Sequence, residues 1–153
     1  MPHFQATQSF ARPVAEVFDF FCRPLNLVRI SPPELHMQLE QGPERIALGS
    51  RVALKGRRWG VPQRVVSVIQ AFEESVLFAD EQVEGPFRRW RHTHRFESLG
   101  ETATRVSDAI EFEPPGGMLG LIVSASFIEK DLQWIFEFRR QTLIELLGPA
   151  PVQ

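Results

Sequence analysis

Cysteine is nearly absent from this chain: Cys22 is the only one among 153 residues. An intrachain disulfide is thereby excluded, as is a thiolate metal cluster within one chain, and a reducing compartment is the natural expectation. Tyrosine is missing altogether, while phenylalanine occurs 13 times and tryptophan three times. The large rings therefore carry no phenolic hydroxyl in need of a buried partner, which suits a dry interior or an apolar pocket. Neither charge sign dominates. Against 17 Lys and Arg stand 19 Asp and Glu, a formal net charge of −2, so no global field draws the chain to nucleic acid. No apolar run approaches the roughly 20 residues that span a bilayer; even Met118–Ala125 is soon followed by Glu129, Lys130 and Asp131. The first residues lack the basic start and apolar stretch of a secretory signal, so a cytoplasmic location is expected by elimination. No Gly-x-Ser-x-Gly nucleophile elbow occurs, and Gly116-Gly117 lacks the lysine that follows in a phosphate-binding loop.

What the chain does contain is enough apolar material for one core. At 43% hydrophobic and 24% charged residues it reads as a single folded domain over residues 1–153. Residues 3–10 alternate as a first strand. Pro13 sits where a first helical turn tolerates proline, and Val14, Val17, Phe18 and Phe21 recur at helical spacing until Pro24. A second short helix fits between Pro24 and Ile30, ended by Ser31-Pro32-Pro33. From there to residue 113 the pattern is six strand-like segments, about 35–41, 50–58, 63–73, 75–84, 86–98 and 102–113, divided by glycine, proline and acidic pairs. An antiparallel meander follows. After Pro114-Pro115-Gly116-Gly117 the period switches: Leu121, Ala125, Ile128, Leu132, Ile135, Phe136, Leu143 and Leu147 form a wide helical stripe from about 117 to 148, closed by Gly148-Pro149. A sheet with one buried face needs a cover, and this stripe supplies it. The expected class is α+β, a curved seven-stranded antiparallel sheet wrapped round a long C-terminal helix, with two short helices after strand 1.

That order of elements resembles the helix-grip fold of the START-like, or SRPBCC, superfamily over nearly the whole chain. Local text carries the resemblance further. Pro13-Val14-Ala15-Glu16-Val17-Phe18 looks like the family's opening helix. Phe78-Ala79-Asp80-Glu81-Gln82, Gly85-Pro86-Phe87 and Trp90-Arg91-His92-Thr93-His94-Arg95-Phe96 are similar to bacterial polyketide cyclase/dehydrase-like members, as are Asp108, Pro114, Gly117 and Leu119-Gly120. The resemblance implies a hydrophobic ligand, but the superfamily spans carriers and enzymes, so fold alone does not decide the chemistry.

Strand alternation places Arg88, Trp90, His92, His94 and Phe96 on one face and Phe87, Arg89, Arg91, Thr93 and Arg95 on the other, with Trp90 and Phe96 marking the inner side. Two histidines therefore point inward. A hairpin turning near Gly100 pairs positions summing to about 200, which sets His92 opposite Asp108, and a slip of two residues sets His94 there instead. Either register leaves an imidazole beside a carboxylate. That pair can orient an imidazole for proton transfer, or it is a satisfied polar cluster in a wet cavity. His-x-His with a nearby carboxylate is also a metal-ligand spacing, but no third neutral ligand is evident, so no metal and no cofactor are expected. Asp80 and Gln82 share a parity with Phe78 and point inward if it does. Leu121, Ala125 and Ile128 complete the expected wall from the helix. Outside, Arg89, Arg91 and Arg95 form a basic stripe with Arg57, Arg58 and Arg64 nearby, a solvated face or a site for an acidic partner; without interleaved exposed aromatics it does not read nucleic acid. Three functions remain open: a binding protein for a small hydrophobic or amphipathic molecule, a cyclase- or dehydratase-type enzyme using the His–Asp pair as base, and a non-enzymatic partner-binding module.

Overall fold

A computed structural model describes residues 1–152. Its elements run β1 (His3–Phe10), α1 (Val14–Phe21), α2 (Pro24–Arg29), β2 (Gln38–Gln41), β3 (Arg51–Arg58), β4 (Val61–Glu73), β5 (Leu77–Glu84), β6 (Arg89–Ser98), β7 (Thr104–Glu113) and α3 (Ala125–Leu147), with single 3₁₀ turns at Pro33–Leu35 and Leu119–Leu121. The seven strands make one antiparallel sheet in the order β1-β7-β6-β5-β4-β3-β2. Consecutive strands pair from β2 to β7, and β1 closes the meander against β7. Register shifts between Val66 and Ser67 and between Ile69 and Ala71 put bulges into the long strand β4, the usual way a sheet gains curvature.

The helix α3 lies on the concave face. Ile128, Leu132, Ile135, Arg139, Leu143 and Leu147 are its buried positions, spaced at the helical period. At its edge with β1, Gln8 donates to the Arg140 carbonyl at 3.1 Å and Arg140 donates to the Thr7 carbonyl at 2.7 Å. Two apolar clusters hold sheet and helices together. In one, Phe18 from α1 packs edge-on against Phe72, Phe78 and Phe96, the last at 4.8 Å between ring centroids. The other gathers Phe87, Ile110, Phe112, Val123, Ile128 and Leu132. Cys22 is fully buried in the first cluster, and desolvation pushes its thiol up to about 12, so it packs as an inert apolar group.

The structure corrects several sequence-based boundaries. The helix begins at Ala125, not near 117: the Ser124 hydroxyl accepts from the Phe127 backbone N–H at 3.2 Å, and this N-cap fixes the start. The chain before it is bent by Gly117 at φ +62° and by Gly120, whose close approach to the Pro115 carbonyl leaves no room for a Cβ. Leu121 consequently falls outside the helical stripe and is 86% exposed. Strand β6 begins at Arg89, so Phe87 and Arg88 belong to the preceding turn and their faces are reversed: Phe87 is buried and Arg88 exposed. The β6–β7 loop is wider than a symmetric turn on Gly100. Leu99 donates to the Ala103 carbonyl at 2.8 Å, pairing centres on residue 101, and His94 stands opposite Asp108 while His92 faces Ile110.

Candidate functional site

Between the concave face and α3 lies a cavity of about 240 Å³. The α1–α2 segment contributes Phe21, Leu27 and Ile30 to its wall, the sheet Val52, Ile69 and Phe78, and the helix Leu132, Ile135 and Phe136. Of the site residues expected from sequence, Phe78, Asp80, Gln82, Trp90, His92 and His94 line it. Phe96 lies behind the wall, packed on Phe18 and Phe78. Ile128 is buried in the second apolar cluster and Ala125 packs at that cluster's edge, both away from the cavity because α3 crosses it only from Leu132 onward. Leu121 points to solvent, held outside the helix by the glycine bends before it. Gln82 is engaged within the protein. Its side-chain amide donates to the Phe87 carbonyl at 2.7 Å and accepts from the Phe87 N–H at 3.3 Å, so it clamps the loop that directs Phe87 inward.

The polar end of the cavity is Asp80, His92 and His94, linked diagonally across three strands to Asp108, which, contrary to the sequence expectation, does not line this cavity but a second cleft on the other side. Asp108 stands opposite His94 in the ladder, yet its Oδ1 accepts from His92 Nε2 at 2.7 Å. Asp80 stands opposite His92, yet its Oδ2 pairs with His94 Nε2 at 3.2 Å. His94 Nδ1 also approaches Asp108 Oδ1 at 3.1 Å, out of line for a good hydrogen bond. The two imidazoles stack at 3.7 Å between centroids, and Phe78 stacks on the far side of His94 at 4.2 Å. Both imidazoles and Asp108 are buried.

Burial and proximity separate the two histidines. For His92, desolvation is the main cause and the neighbouring His94 the second, and together they hold its pKa below the ordinary histidine value despite Asp108. For His94, desolvation also opposes the charge, but the close carboxylates of Asp108 and Asp80 outweigh it and raise the pKa. Asp108 has its carboxyl held far below the usual range: burial would raise it, but hydrogen bonds and charge from both histidines prevail. His94 is thus the first to take a proton, shared between two carboxylates, while His92 is neutral. With its Nε2–H on Asp108, neutral His92 keeps the Nδ1 lone pair for an incoming proton. Titration followed by imidazole ¹⁵N shifts is expected to show His94 charging above and His92 below the ordinary value of about 6.5; coincident titrations would contradict this cluster.

Two arginines complete the site, and neither was expected there. Arg58 at the end of β3 pairs with Asp131 of α3 at 2.8 Å, and Trp59 Nε1 donates to the same Asp131 Oδ2 at 3.3 Å. Its guanidinium lies over the Trp59 and Phe87 rings. Arg58 therefore leaves the outer basic stripe and ties a hairpin tip to the helix. The rest of that stripe is partly neutralised: Arg91 pairs with Glu81, and Arg64 with Glu40 and Glu84, whereas Arg57, Arg89 and Arg95 are exposed. Arg139 lies deeper. It occupies a buried position of α3, rests on the Phe136 ring at 4.3 Å, and borders both the main cavity and a second cleft between β1 and α3 that Asp108 also lines.

Asp80, His92 and His94 place one ligand atom each within 4.8 Å of one another, a donor set suited to Zn or Fe. The surroundings disfavour a cation: the buried guanidinium of Arg139 already acts on Asp108 and Asp80, and Asp80 is engaged by His94. Chelator treatment is expected to leave the melting temperature unchanged; stoichiometric zinc or iron after purification without added metal would overturn that expectation.

Among the described residues no helix is long and apolar enough to cross a membrane. In comparisons with known proteins, the chain is 26% identical over 117 residues to an uncharacterized protein of Mycobacterium tuberculosis, Rv0088. That match covers 71% of this chain and 46% of the relative, so the chain spans about half the length of the curated relatives it matches. Among solved structures, the protein CV1439 from Chromobacterium violaceum superposes with a TM-score of 0.74 at 12% identity, covering 98% of this chain and all of that one. A START superfamily protein from Mycobacterium smegmatis gives 0.68 at 13% identity, covering 95% and 99% of the two chains. The Zhui aromatase/cyclase from Streptomyces sp. R1128 gives 0.66 at 16% identity, covering 95% and 90%. These likenesses show a shared helix-grip fold. The family described as polyketide cyclase/dehydrase and lipid transport matches residues 10–137, and this chain, with its sheet, gripping helix and the cavity between them, belongs to it.

Proposed function

We propose that the protein binds a small apolar or amphipathic molecule, of the lipid, quinone or aromatic polyketide kind, between the sheet and α3. The observation that carries this reading is the cavity: apolar walls on most sides and one cluster of convergent polar groups, the usual make-up of a ligand site. Its volume of about 240 Å³ lies below the roughly 300–1,000 Å³ typical of drug-sized ligands. That favours a short chain or one or two fused rings over a long acyl chain. Native mass spectrometry of the purified protein is expected to show a noncovalent small-molecule adduct. Protein that carries none, and that is stabilised by no member of a panel of short-chain lipids, quinones and bicyclic aromatics, would overturn the reading.

One observation favours a second reading, proton-transfer catalysis of cyclase or dehydratase type. His92 lines the cavity as a neutral imidazole whose far nitrogen is held by Asp108, the arrangement that orients a general base. His92→Gln separates the two. If the imidazole only hydrogen-bonds a ligand, affinity falls by about 1–2 kcal/mol, the worth of one such bond. If it is a base, turnover falls about 10²-fold or more with affinity nearly kept.

A further inference from the structure

The stripe that α3 buries runs Ile128, Leu132, Ile135, Arg139, Leu143 and Leu147. One of these six is a cation. Arg139 stands where the period calls for another leucine, and it is only 7% exposed. Buried arginine is ordinarily matched by a carboxylate, because an unpaired charge in a low-dielectric interior carries a large desolvation penalty. Arg58 follows that rule through Asp131. Arg139 does not: among the described residues no carboxylate oxygen lies in ion-pair contact with it, and its Nε is buried without a hydrogen-bond partner. Its guanidinium rests on the face of Phe136.

The nearest anions are already committed. Asp108 accepts from His92 and approaches His94, and Asp80 pairs with His94. With His94 protonated, Asp80, Asp108, His94 and Arg139 sum to zero, so long-range balance is kept while the guanidinium's own hydrogen bonds are unfilled. Five N–H donors in a rigid fork suit a carboxylate.

Resting on the reading of the cavity as a ligand site, we propose that the ligand is an amphipathic anion whose carboxylate pairs with Arg139 while its apolar body fills the space toward Ile30 and Val52. Selectivity for acids over the corresponding alcohols is then a property of α3, and the His–Asp cluster supplies the charge balance around it.

The test compares matched pairs by isothermal titration calorimetry at pH 7.5: octanoate with 1-octanol, and 2-naphthoate with 2-naphthol. In the pair that the cavity accepts, the acid is expected to bind at least tenfold more tightly than the alcohol. Arg139→Met is expected to abolish that advantage, bringing the acid's affinity down to the alcohol's or below it, while the apolar body still carries residual binding of the alcohol. The alcohol's affinity in the variant shows that the fold is intact. An alcohol that binds as tightly as its acid, or an acid preference that survives Arg139→Met, overturns the proposal and leaves the cavity reading standing. Binding of neither member of either pair overturns both.

Discussion

Ile128→Asp is expected to abolish soluble, folded protein. Ile128 is fully buried in the cluster of Phe87, Ile110, Phe112, Val123 and Leu132, where α3 first meets the sheet, and it lines neither the main cavity nor the second cleft. Removing the isoleucine costs on the order of 2–5 kcal/mol in lost burial and packing. A carboxylate without a partner adds several more. The sum approaches or exceeds the roughly 5–15 kcal/mol by which a domain of this kind is stable. Leu132→Asp, one turn later, offers a graded comparison. Leu132 is nearly as buried but borders the cavity, where water can reach the new carboxylate, so its penalty is smaller. Soluble yield, far-ultraviolet circular dichroism and urea midpoints measure both. Wild-type melting for Ile128→Asp, or a larger loss for Leu132→Asp, would remove the account of how helix and sheet are joined.

The elements that a one-dimensional period can report are legible in the sequence. Alternation in β6 predicts both imidazoles on the inner face, and they are there because Trp90, His92, His94 and Phe96 share a parity that no even-numbered slip can alter. The choice between His92 and His94 as the residue opposite Asp108 depends on the Leu99–Ala103 loop, whose width the strand pattern does not encode. Turns defeat parity altogether. Phe87 lies inward because Gln82 clamps its backbone, a contact five residues apart that alternation cannot express. The start of α3 escapes the pattern for a related reason: the apolar residues of Met118–Ile122 mimic helical spacing, but glycines and the Ser124 cap hold them outside the helix. Arg58 and Arg139 do carry a signal. Arg58 shares its parity with Val52 and Leu54, which line the cavity, and Arg139 stands four residues from both Ile135 and Leu143. In each case charge reads as a mark of the surface, whereas the period places the residue inside.

Asp108→Ala is expected to destabilise the protein by about 3–5 kcal/mol, the range for removing one partner from a buried ionic cluster, and to do so more at pH 5 than at pH 8. In the parent protein His94 binds its proton more tightly when folded than when unfolded, so it contributes stability that is fully present below about pH 6.5 and is lost as pH rises through its folded pKa. His92, held below the ordinary value, acts the other way: its contribution is present above about pH 6.5 and fades as pH falls through its folded pKa. The carboxyl of Asp108 is depressed, so its contribution holds down to about pH 4 and fades only below that. Removing Asp108 strips His92 of its hydrogen-bond acceptor and His94 of one of its two neighbouring carboxylates, and leaves desolvation, the main cause lowering His92 and the main opposing cause at His94. His92 then resists charging in the folded state and His94, left with Asp80 alone, takes its proton less readily than in the parent, so acidification toward pH 5 favours the unfolded chain more than it does in the parent. The loss relative to the parent therefore grows as pH falls from 8 to 5. Urea denaturation of both proteins at pH 5, 6.5 and 8 measures it. A loss that is equal at the three values, or greatest at pH 8, would show that the two imidazoles do not titrate against Asp108, and the cavity's polar end would then lack the charge balance that leaves Arg139 open to a ligand.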